Sequence, residues 1–366
     1  MSSKDEIQSD ALNAIKGKNK AGIEVSMGVG KTLLAIKHMA SNYTDISKFL
    51  VVAPRLSIFK SWKDEIIKHK YEYINDCVDY STYLSINKQD FDYDVVYLDE
   101  CHNLKENHSE WLSHFENRGG IIIGMTGTYP VVSSSEKGKM CNKFCPKVFE
   151  YKTDDAVAAG ILNDYSITVH YISLDKSKTI AKKGKYGDYA VSEEAEYNFW
   201  TKRVSEANTP KQEQIARITR MKKLQSFESK ESYAKSLFHM TDNKTIIFAN
   251  TQKQADKLCE YSVHSKNKSS DENLKMFKEG SITKLSAVEQ LSEGVTIPEL
   301  KTGIIMHAYG NNRKAAQKIG RLLRLNPKDK SNIHVLCYRH TIDEKWVESA
   351  LSDFDESKIK WGSNGK

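Results

Sequence analysis

The feature that most constrains the fold of this chain is a series of short, β-branched apolar runs that alternate with longer stretches of helical periodicity. The series occurs twice. The predicted strands are residues 23–25, 49–53, 95–98 and 121–125 in the first half, and residues 245–249, 285–288, 303–306 and 333–337 in the second half. Such alternation is typical of βαβ units, in which helices cover both faces of a parallel sheet. The sequence therefore predicts an α/β fold with two parallel sheets.

The length of the chain agrees with two domains, because 366 residues exceed what one hydrophobic core usually organises. We predict a first domain over residues 1–163 and a second domain over residues 164–366. Within the second, residues 165–240 are predicted to form a connecting helical and basic segment, with helical periodicity at 212–227 and 233–240. Residues 175–190 carry five lysines, two glycines and two tyrosines, which predicts a mobile basic loop.

Composition and charge narrow the functional classes. The sequence is 39% hydrophobic and contains no apolar run of about 18 residues, which argues against a membrane role. The polar N-terminus is not followed by an apolar segment, and the six cysteines are scattered, so a secreted disulfide-bonded protein is not expected. The net charge of +7 suits a polyanionic partner without requiring one. We therefore expect a cytoplasmic protein.

A glycine-rich segment follows the first predicted strand and opens a helical stretch. Residues 26–32 read Ser-Met-Gly-Val-Gly-Lys-Thr. Glycines at this place let successive backbone N–H groups turn toward a phosphate, and the helix N-terminus adds positive potential. In such a P-loop Lys31 would reach the β and γ phosphates and the Thr32 hydroxyl would hold Mg²⁺. The general pattern also wants glycine at position 25, which is Val25 here, and the alternative is a Gly-Lys-Thr sequence that begins a helix by chance.

Two carboxylates end the third predicted strand, within the sequence Asp99-Glu100-Cys101-His102. In open α/β sheets ligands bind beyond the carboxyl ends of the strands, so Asp99 is predicted to meet Mg²⁺ while Glu100 orients an attacking water. A Cys101–His102 nucleophile pair is disfavoured because neighbouring side chains in an extended chain point apart. A metal site at Cys141 and Cys145 is disfavoured as well, since no second pair with zinc-like spacing follows.

A third element lies in the second half, at residues 317–324. Helical spacing places Gln317, Arg321 and Arg324 on one face, and apolar side chains form a stripe on another. One interpretation is a solvated basic face. The other is a pair of arginine fingers that reach the γ-phosphate held by the first domain.

Together these motifs resemble motifs I, II and VI of the superfamily 2 helicases, in the same order. Segments 51–55 with 61–63, 81–83, 124–130, 244–251 and 291–298 resemble motifs Ia, Ib, III, IV and V. The wording of residues 27–32 and 126–128 is similar to that of Snf2-type translocases, which also lack the glycine at position 25. The connection over residues 149–162 is closer to phage recombination helicases and restriction-enzyme motors.

The resemblance implies two tandem RecA-like domains with an ATP cleft between them, and a need for ATP and Mg²⁺. It adds several residues to the predicted sites. For the nucleotide these are Gln8, which would read adenine unless it is merely exposed, and Met27, Gly28, Val29, Gly30 and Gly294. His102 joins Glu100, Gln317, Arg321 and Arg324 in the catalytic group. For one nucleic-acid strand, the predicted phosphate contacts are Pro54, Arg55, Thr82, Asn250 and Thr251. Such contacts carry no sequence information.

Three functions remain open at this point. The first is a DNA helicase or branch-migration motor in a bacterial or phage-infected cytoplasm. The second is an RNA helicase or RNA-stimulated ATPase, which shares the same motifs. The third is an ATP-dependent switch subunit that acts through a partner protein. Any strand-separating element must be short, and residues 182–189 and 197–200 are candidates by composition; the alternative is that the aromatic residues at 197–200 pack a helix against its domain.

Overall fold

In the computed structural model the chain divides into two compact units, Met1–Asn163 and Asp164–Lys366. The structure describes residues 3–26, 28–130, 132–288, 297–308, 330–352 and 354–362. Each unit is built around one parallel sheet with helices, so the predicted α/β class is confirmed. None of the helices in the described ranges is long and apolar enough to cross a lipid bilayer.

The first unit contains, within its described residues, a sheet of six parallel strands in the order β3-β2-β4-β5-β1-β6. The strands are β1 Lys20–Val25, β2 Phe49–Ala53, β3 Val78–Thr82, β4 Val95–Asp99, β5 Ile121–Thr126 and β6 Lys147–Tyr151. The helices are α1 Lys4–Ile15, α2 Lys31–Ser41, α3 Ser57–Lys68, α4 Ser109–Asn117, α5 Glu136–Phe144 and α6 Thr153–Ala158. Every residue of β2 and β4 is buried, as expected for central strands covered on both faces.

The second unit contains, as far as it is described, a sheet of seven parallel strands in the order β11-β12-β10-β13-β14-β7-β15, and a separate two-stranded sheet. The strands are β7 Asp164–Ile172, β8 Ile180–Gly184, β9 Gly187–Val191, β10 Thr245–Phe248, β11 Ser262–Val263, β12 Lys284–Ala287, β13 Thr302–Ile305, β14 Lys330–Tyr338 and β15 Ile359–Trp361. The helices are α7 Glu193–Ser205, α8 Pro210–Ser226, α9 Glu228–Met240, α10 Gln252–Leu258, α11 Ser270–Glu279 and α12 Ile342–Leu351.

All eight predicted strands are present, but the segment at residues 165–240 differs from its prediction. It begins with β7, which lies between β14 and β15 in the large sheet and is therefore part of the core of the second unit. The alternating burial along β7 is that of a half-buried strand. The polar residues of β7 obscure this alternation in the sequence, because such residues are also common in loops. In the folded chain their side chains form hydrogen bonds to neighbouring elements.

The prediction of a mobile loop at residues 175–190 is wrong for most of that range. β8 and β9 pair as an antiparallel hairpin, with Ile180 opposite Val191 and Gly184 opposite Gly187. The lysines that suggested a loop lie on a narrow two-stranded ribbon, which leaves most of its side chains exposed. A run of exposed charges is therefore compatible here with regular strand pairing.

A histidine pair joins β7 to β14. His170 Nε2 lies 2.9 Å from His334 Nδ1, and His170 Nδ1 lies 2.8 Å from the Tyr233 hydroxyl. Burial, and then the charge of His170, lower the pKa of His334 to about 4, whereas burial alone lowers the pKa of His170. The pair is therefore stable in its neutral form.

This pair predicts a loss of stability in mild acid. Because the folded pKa of His334 is below its ordinary value of about 6.5, protons bind more readily to the unfolded chain, and stability falls as pH decreases through 6.5 toward 4. The contribution of His334 should amount to about 2 kcal/mol at about pH 5. Urea unfolding followed by circular dichroism should show a smaller acid-induced loss for His334→Gln. The same substitution at exposed His239 should behave as the parent protein does, and equal losses in all three proteins would contradict the assignment.

Candidate active site

The glycine-rich loop and the carboxylate pair meet at one edge of the first sheet. The loop follows β1, the carboxylates lie at the end of β4, and both strands flank β5 in a parallel arrangement. Their carboxyl ends therefore face the same side. Gly28 and Gly30 both have a φ of 100°, a left-handed conformation that favours glycine. A Cβ atom on Gly30 would lie 2.7 Å from Gln8 Nε2, so a side chain there would require the Gln8 amide to shift.

An ion pair connects the loop to the carboxylates. Lys31 is the first residue of α2, and its Nζ lies 2.9 Å from Glu100 Oε1. The two side chains are only 11% and 16% exposed. Glu100 itself has a left-handed backbone, with φ 52° and ψ 55°, which is uncommon for a residue with a side chain and is concentrated at functional sites. The strained turn directs the carboxylate toward Lys31.

The adjacent carboxylates differ in acidity. Burial, and then the charge of Glu100, raise the pKa of Asp99 to about 6. Burial would also raise the pKa of Glu100, but the charges of Lys31 and His102 and the hydrogen bonds from Lys31 and Thr126 outweigh it and lower this pKa to about 2. Glu100 is therefore ionised at neutral pH, as an acceptor for a water proton requires.

A buried hydroxyl joins three predicted parts of the site. Thr126 is fully buried at the end of β5, and its Oγ1 donates to Glu100 Oε2 at 3.1 Å. His102 Nδ1 lies 2.8 Å from the same oxygen, and the Thr128 N–H donates to it at 3.1 Å. The bonding is consistent when His102 carries a proton on Nδ1 and donates it to Thr126. Thr126 therefore orients the Glu100 carboxylate, the predicted catalytic group, through its hydroxyl group.

Asp99 is positioned by two residues to which the sequence analysis gave no such role. The indole N–H of Trp62 on α3 donates to Asp99 Oδ2 at 3.0 Å, and the Tyr83 hydroxyl donates to the backbone oxygen of Asp99 at 2.9 Å. Trp62 lies in the segment that resembles motif Ia, and Tyr83 lies in the segment that resembles motif Ib. A buried tryptophan needs a partner for its N–H, which is the signal that could have suggested this role.

Gln8 is buried, in contrast to the alternative in the sequence analysis that its side chain is merely exposed. It is 2% exposed, and its Nε2 donates to the carbonyl oxygen of Val29 in the loop at 2.9 Å. Its Oε1 is buried and has no hydrogen-bond partner among the described residues. The side chain thus supports the loop and keeps one acceptor available.

Three residues that are predicted to contact a nucleic-acid strand lie at the same carboxyl-terminal edge of the first sheet. Pro54 and Arg55 follow β2, and Thr82 ends β3, whose register places it beside Ala53, the last residue of β2. Arg55 is exposed, whereas Pro54 and Thr82 are half-buried. β2 and β3 lie on one side of β4 in the sheet, whereas β1, which the glycine-rich loop follows, lies on the other side. The carboxylate pair at the end of β4 therefore lies between these three residues and the loop.

In the second unit, Asn250 and Thr251 follow β10 and take part in local hydrogen bonds. Asn250 Nδ2 donates to Gln225 Oε1 at 2.6 Å, and Thr251 caps α10 by accepting from the Gln254 N–H at 3.2 Å. Five predicted residues lie outside the described ranges. They are Met27 in the first unit and Gly294, Gln317, Arg321 and Arg324 in the second.

The cysteines of the two disfavoured sites lie in the hydrophobic core of the first unit. Cys101, Cys141 and Cys145 are all fully buried in one hydrophobic cluster, and Cys141 Sγ donates to the backbone oxygen of Cys101 at 3.5 Å. In the second unit, burial raises the pKa of the Cys337 thiol. These thiols pack as small apolar side chains.

Comparison with known families agrees with this arrangement in both units. Residues 3–92 match the family "Type III restriction enzyme, res subunit", and residues 229–326 match "Helicase conserved C-terminal domain". Over 361 residues the chain is 22% identical to the DNA 3'-5' translocase XPB2 of Sulfurisphaera tokodaii, a match that covers 90% of this chain and 80% of that protein. The chain belongs to the superfamily 2 helicases and translocases.

Solved structures confirm the fold expected for this superfamily. A fragment of an HsdR subunit of a type I restriction enzyme from Vibrio vulnificus matches with a TM-score of 0.62 at 19% identity, over 98% of this chain and 67% of that one. Dbp5 of Saccharomyces cerevisiae, bound to RNA and ADP BeF3, matches with a TM-score of 0.60 at 13% identity, over 98% and 89%. The predicted tandem RecA-like architecture is therefore confirmed.

As a superfamily 2 helicase or translocase, the protein hydrolyses ATP and translocates on nucleic acid. For a member of this superfamily, we interpret the Lys31–Glu100 pair as the contact between the predicted phosphate-binding loop and the predicted catalytic carboxylate. Each residue's individual role at this point stays a prediction.

The Thr126 hydroxyl gives a testable consequence. Thr126→Val keeps the shape of the side chain but removes the donor to Glu100, so ATP turnover should fall roughly 10- to 100-fold, which corresponds to about 1.5–3 kcal/mol for a hydrogen bond to a charged group. Thr126→Ser keeps a hydroxyl and should retain most of the turnover. Steady-state ATP hydrolysis at saturating ATP measures this, and equal rates for the valine and serine variants would refute the orienting role.

Proposed function

We propose that the protein is an ATP-driven motor that moves along DNA or remodels it. The observation that carries this proposal is the shared sheet edge. The Lys31–Glu100 pair and Asp99 lie at the ends of β1 and β4, and the predicted strand contacts Pro54, Arg55 and Thr82 lie at the ends of β2 and β3 next to them. A change at the nucleotide is thus adjacent to the residues that would hold the strand.

The residues at this edge fit a nucleotide with Mg²⁺. Two left-handed glycines leave the loop backbone close to a ligand, and a side chain on Gly30 would collide with Gln8. The orphaned Gln8 Oε1 suits an amino group such as that of adenine. Lys31 would bind phosphate, and Thr32 and Asp99 would hold the metal ion. ATP hydrolysis supplies the free energy for movement, and Mg²⁺ neutralises phosphate charge.

The residues of this chain then have distinct tasks. Lys31 breaks its ion pair with Glu100 and binds phosphate instead. Glu100, which is ionised and accepts a hydrogen bond from Thr126, orients the attacking water. His102 fixes the hydroxyl of Thr126. From the second unit, Gln317, Arg321 and Arg324 would contact the nucleotide and Gly294 would lie nearby, as the superfamily resemblance implies.

DNA is favoured over RNA as the track. The support is the likeness over most of the chain to a protein named as a DNA translocase, together with a match of residues 3–92 to a restriction-enzyme family. Binding through phosphate contacts should show little sequence preference. We further propose a cytoplasmic location and a partner protein that supplies target specificity.

The first prediction of this proposal concerns Lys31. Lys31→Ala should lower ATP turnover roughly 10²-fold or more, because it removes a preorganised charge from the phosphate site. The matched control is Lys37→Ala on the same helix, where the lysine pairs with exposed Asp5 instead. Steady-state hydrolysis and nucleotide-binding titrations should separate the two variants. Parallel circular dichroism spectra verify that both fold, and unchanged turnover in Lys31→Ala would overturn the P-loop assignment.

The second prediction concerns the track. Single-stranded or forked DNA should stimulate ATP turnover more than RNA of the same sequence. The DNA concentration needed for half-maximal stimulation should rise steeply between about 50 and 200 mM salt, since phosphate contacts release counterions. Stimulation by RNA alone would support the RNA-helicase alternative. If neither DNA nor RNA stimulates ATP turnover, the alternative of a switch subunit that needs a partner protein explains the protein better.

A further inference from the structure

The hairpin of β8 and β9 is a separate structural element of the second unit. In the described residues its two strands form a sheet of their own, joined by the two-residue turn Lys185–Tyr186. An isolated two-stranded hairpin is marginally stable in water at best. Its stability must therefore come from its base.

The base of the hairpin is firmly attached. Lys182 Nζ donates to Glu196 Oε1 on α7 at 2.7 Å, and this carboxylate, only 4% exposed, also accepts from Trp200 Nε1 at 3.2 Å. Lys223 on α8 completes the cluster at 3.3 Å. Ile180, at the start of β8, packs against the hydrophobic core of the unit. These contacts hold the ribbon from its first residue pair to its middle pair, Lys182 and Tyr189, and the turn lies beyond them.

The tip, in contrast, carries an aromatic ring in solvent. Tyr186 is 94% exposed, whereas Tyr189 at 56% covers the turn, within 3.2 Å of where a Cβ on Gly184 would lie. The left-handed conformation of the turn is taken by Gly187, with a φ of 130°, and neither Lys185 nor Tyr186 has a positive φ. Backbone geometry therefore does not require tyrosine at position 186, and burial does not stabilise it there.

The charge around the tip is positive. Lys183 and Lys185 are exposed beside Tyr186, and Lys185 Nζ lies 5.5 Å from the centre of the Tyr186 ring. Asp188, opposite Lys183 in the ribbon, is the acidic residue of the hairpin strands and turn. An exposed ring flanked by lysines offers a stacking surface next to phosphate-binding charges, the combination that proteins use on nucleic acids.

We propose that the Tyr186 ring stacks on a nucleobase with an open face, and that Lys183 and Lys185 contact the adjoining phosphates. This inference rests on the proposed function, because it needs nucleic acid as the ligand. Such a base is found on an unpaired strand or at the end of a duplex where strands separate. The anchored base of the hairpin would keep the ring in place while the strand moves.

The test compares Tyr186→Ala with Tyr186→Phe, which keeps the ring, and with Tyr73→Ala, which removes another exposed tyrosine in the first unit. Fluorescence anisotropy would measure the Kd for labelled single-stranded DNA, for a forked duplex and for a blunt duplex. A 2-aminopurine at the fork, or within the single strand, reports stacking by quenching. ATP turnover at saturating DNA is measured for the same proteins.

Tyr186→Ala should weaken binding roughly 5- to 160-fold, since one stacked base is worth about 1–3 kcal/mol. It should lose the quenching as well, while the phenylalanine variant and Tyr73→Ala match the parent protein. A loss on the forked duplex alone identifies the junction where the strands separate as the ligand, and a loss on both the single strand and the fork identifies an unpaired base. Saturated turnover should stay within about twofold of the parent value, because Tyr186 is not among the residues predicted to bind the nucleotide or to take part in its hydrolysis.

Two results would remove the inference, and they are distinguishable. If DNA stimulates ATP turnover in the parent protein but Tyr186→Ala binds every DNA equally well, the tip does not stack on bases and the motor proposal survives. If DNA neither binds nor stimulates the parent protein, the proposed function fails and the stacking role fails with it.

Discussion

The buried ion pair between Lys31 and Glu100 is the interaction on which the catalytic edge depends. Burying a lone carboxylate costs several kcal/mol, and here a lysine on the neighbouring loop offsets that cost and keeps Glu100 ionised. The pair can form only because β1 and β4 flank β5 with parallel directions. Before phosphate is bound, the pair satisfies both charges. A nucleotide phosphate bound by Lys31, as proposed, would compete with Glu100 for the lysine. Glu100 Oε2 would then keep the Thr126 hydroxyl at 3.1 Å and His102 Nδ1 at 3.3 Å.

The neighbouring carboxylates illustrate how environment divides labour between identical chemical groups. Asp99 receives its hydrogen bond from a neutral indole and has the charge of Glu100 beside it, so its pKa is raised, whereas Glu100 has Lys31 and a pKa of about 2. Titratable groups whose pKa values are pushed apart commonly mark separate catalytic roles. Asp99 is thus the carboxylate whose ionised form would gain more from a nearby divalent cation, which agrees with its proposed role as a metal ligand.

Much of the fold was predictable because fully apolar β-branched runs have one common use in a parallel sheet. β2 and β4 are of this kind, and their ends also marked the candidate site. β7 was missed because its polar residues are satisfied by partners distant in sequence, such as His334 for His170. The hairpin was missed because an exposed ribbon lacks the apolar alternation that identifies a strand. Trp62 was placed in the segment that resembles motif Ia but received no role of its own, since a sequence does not reveal which buried acceptor an indole N–H will find.

The same tryptophan gives a physical route between the two halves of the proposed function. α3 begins at Ser57, two residues after Arg55, and its Trp62 donates to the side chain of Asp99. The proposed nucleic-acid contact Arg55 therefore lies two residues before this helix, and the donor to the proposed metal ligand lies on the helix a little over one turn after its first residue. A shift of Asp99 on nucleotide binding or release would be transmitted to α3 through that hydrogen bond, and the start of the helix would move with it. Coupling of this kind requires a contiguous, packed connection, and here it consists of one hydrogen bond and about five residues of helix.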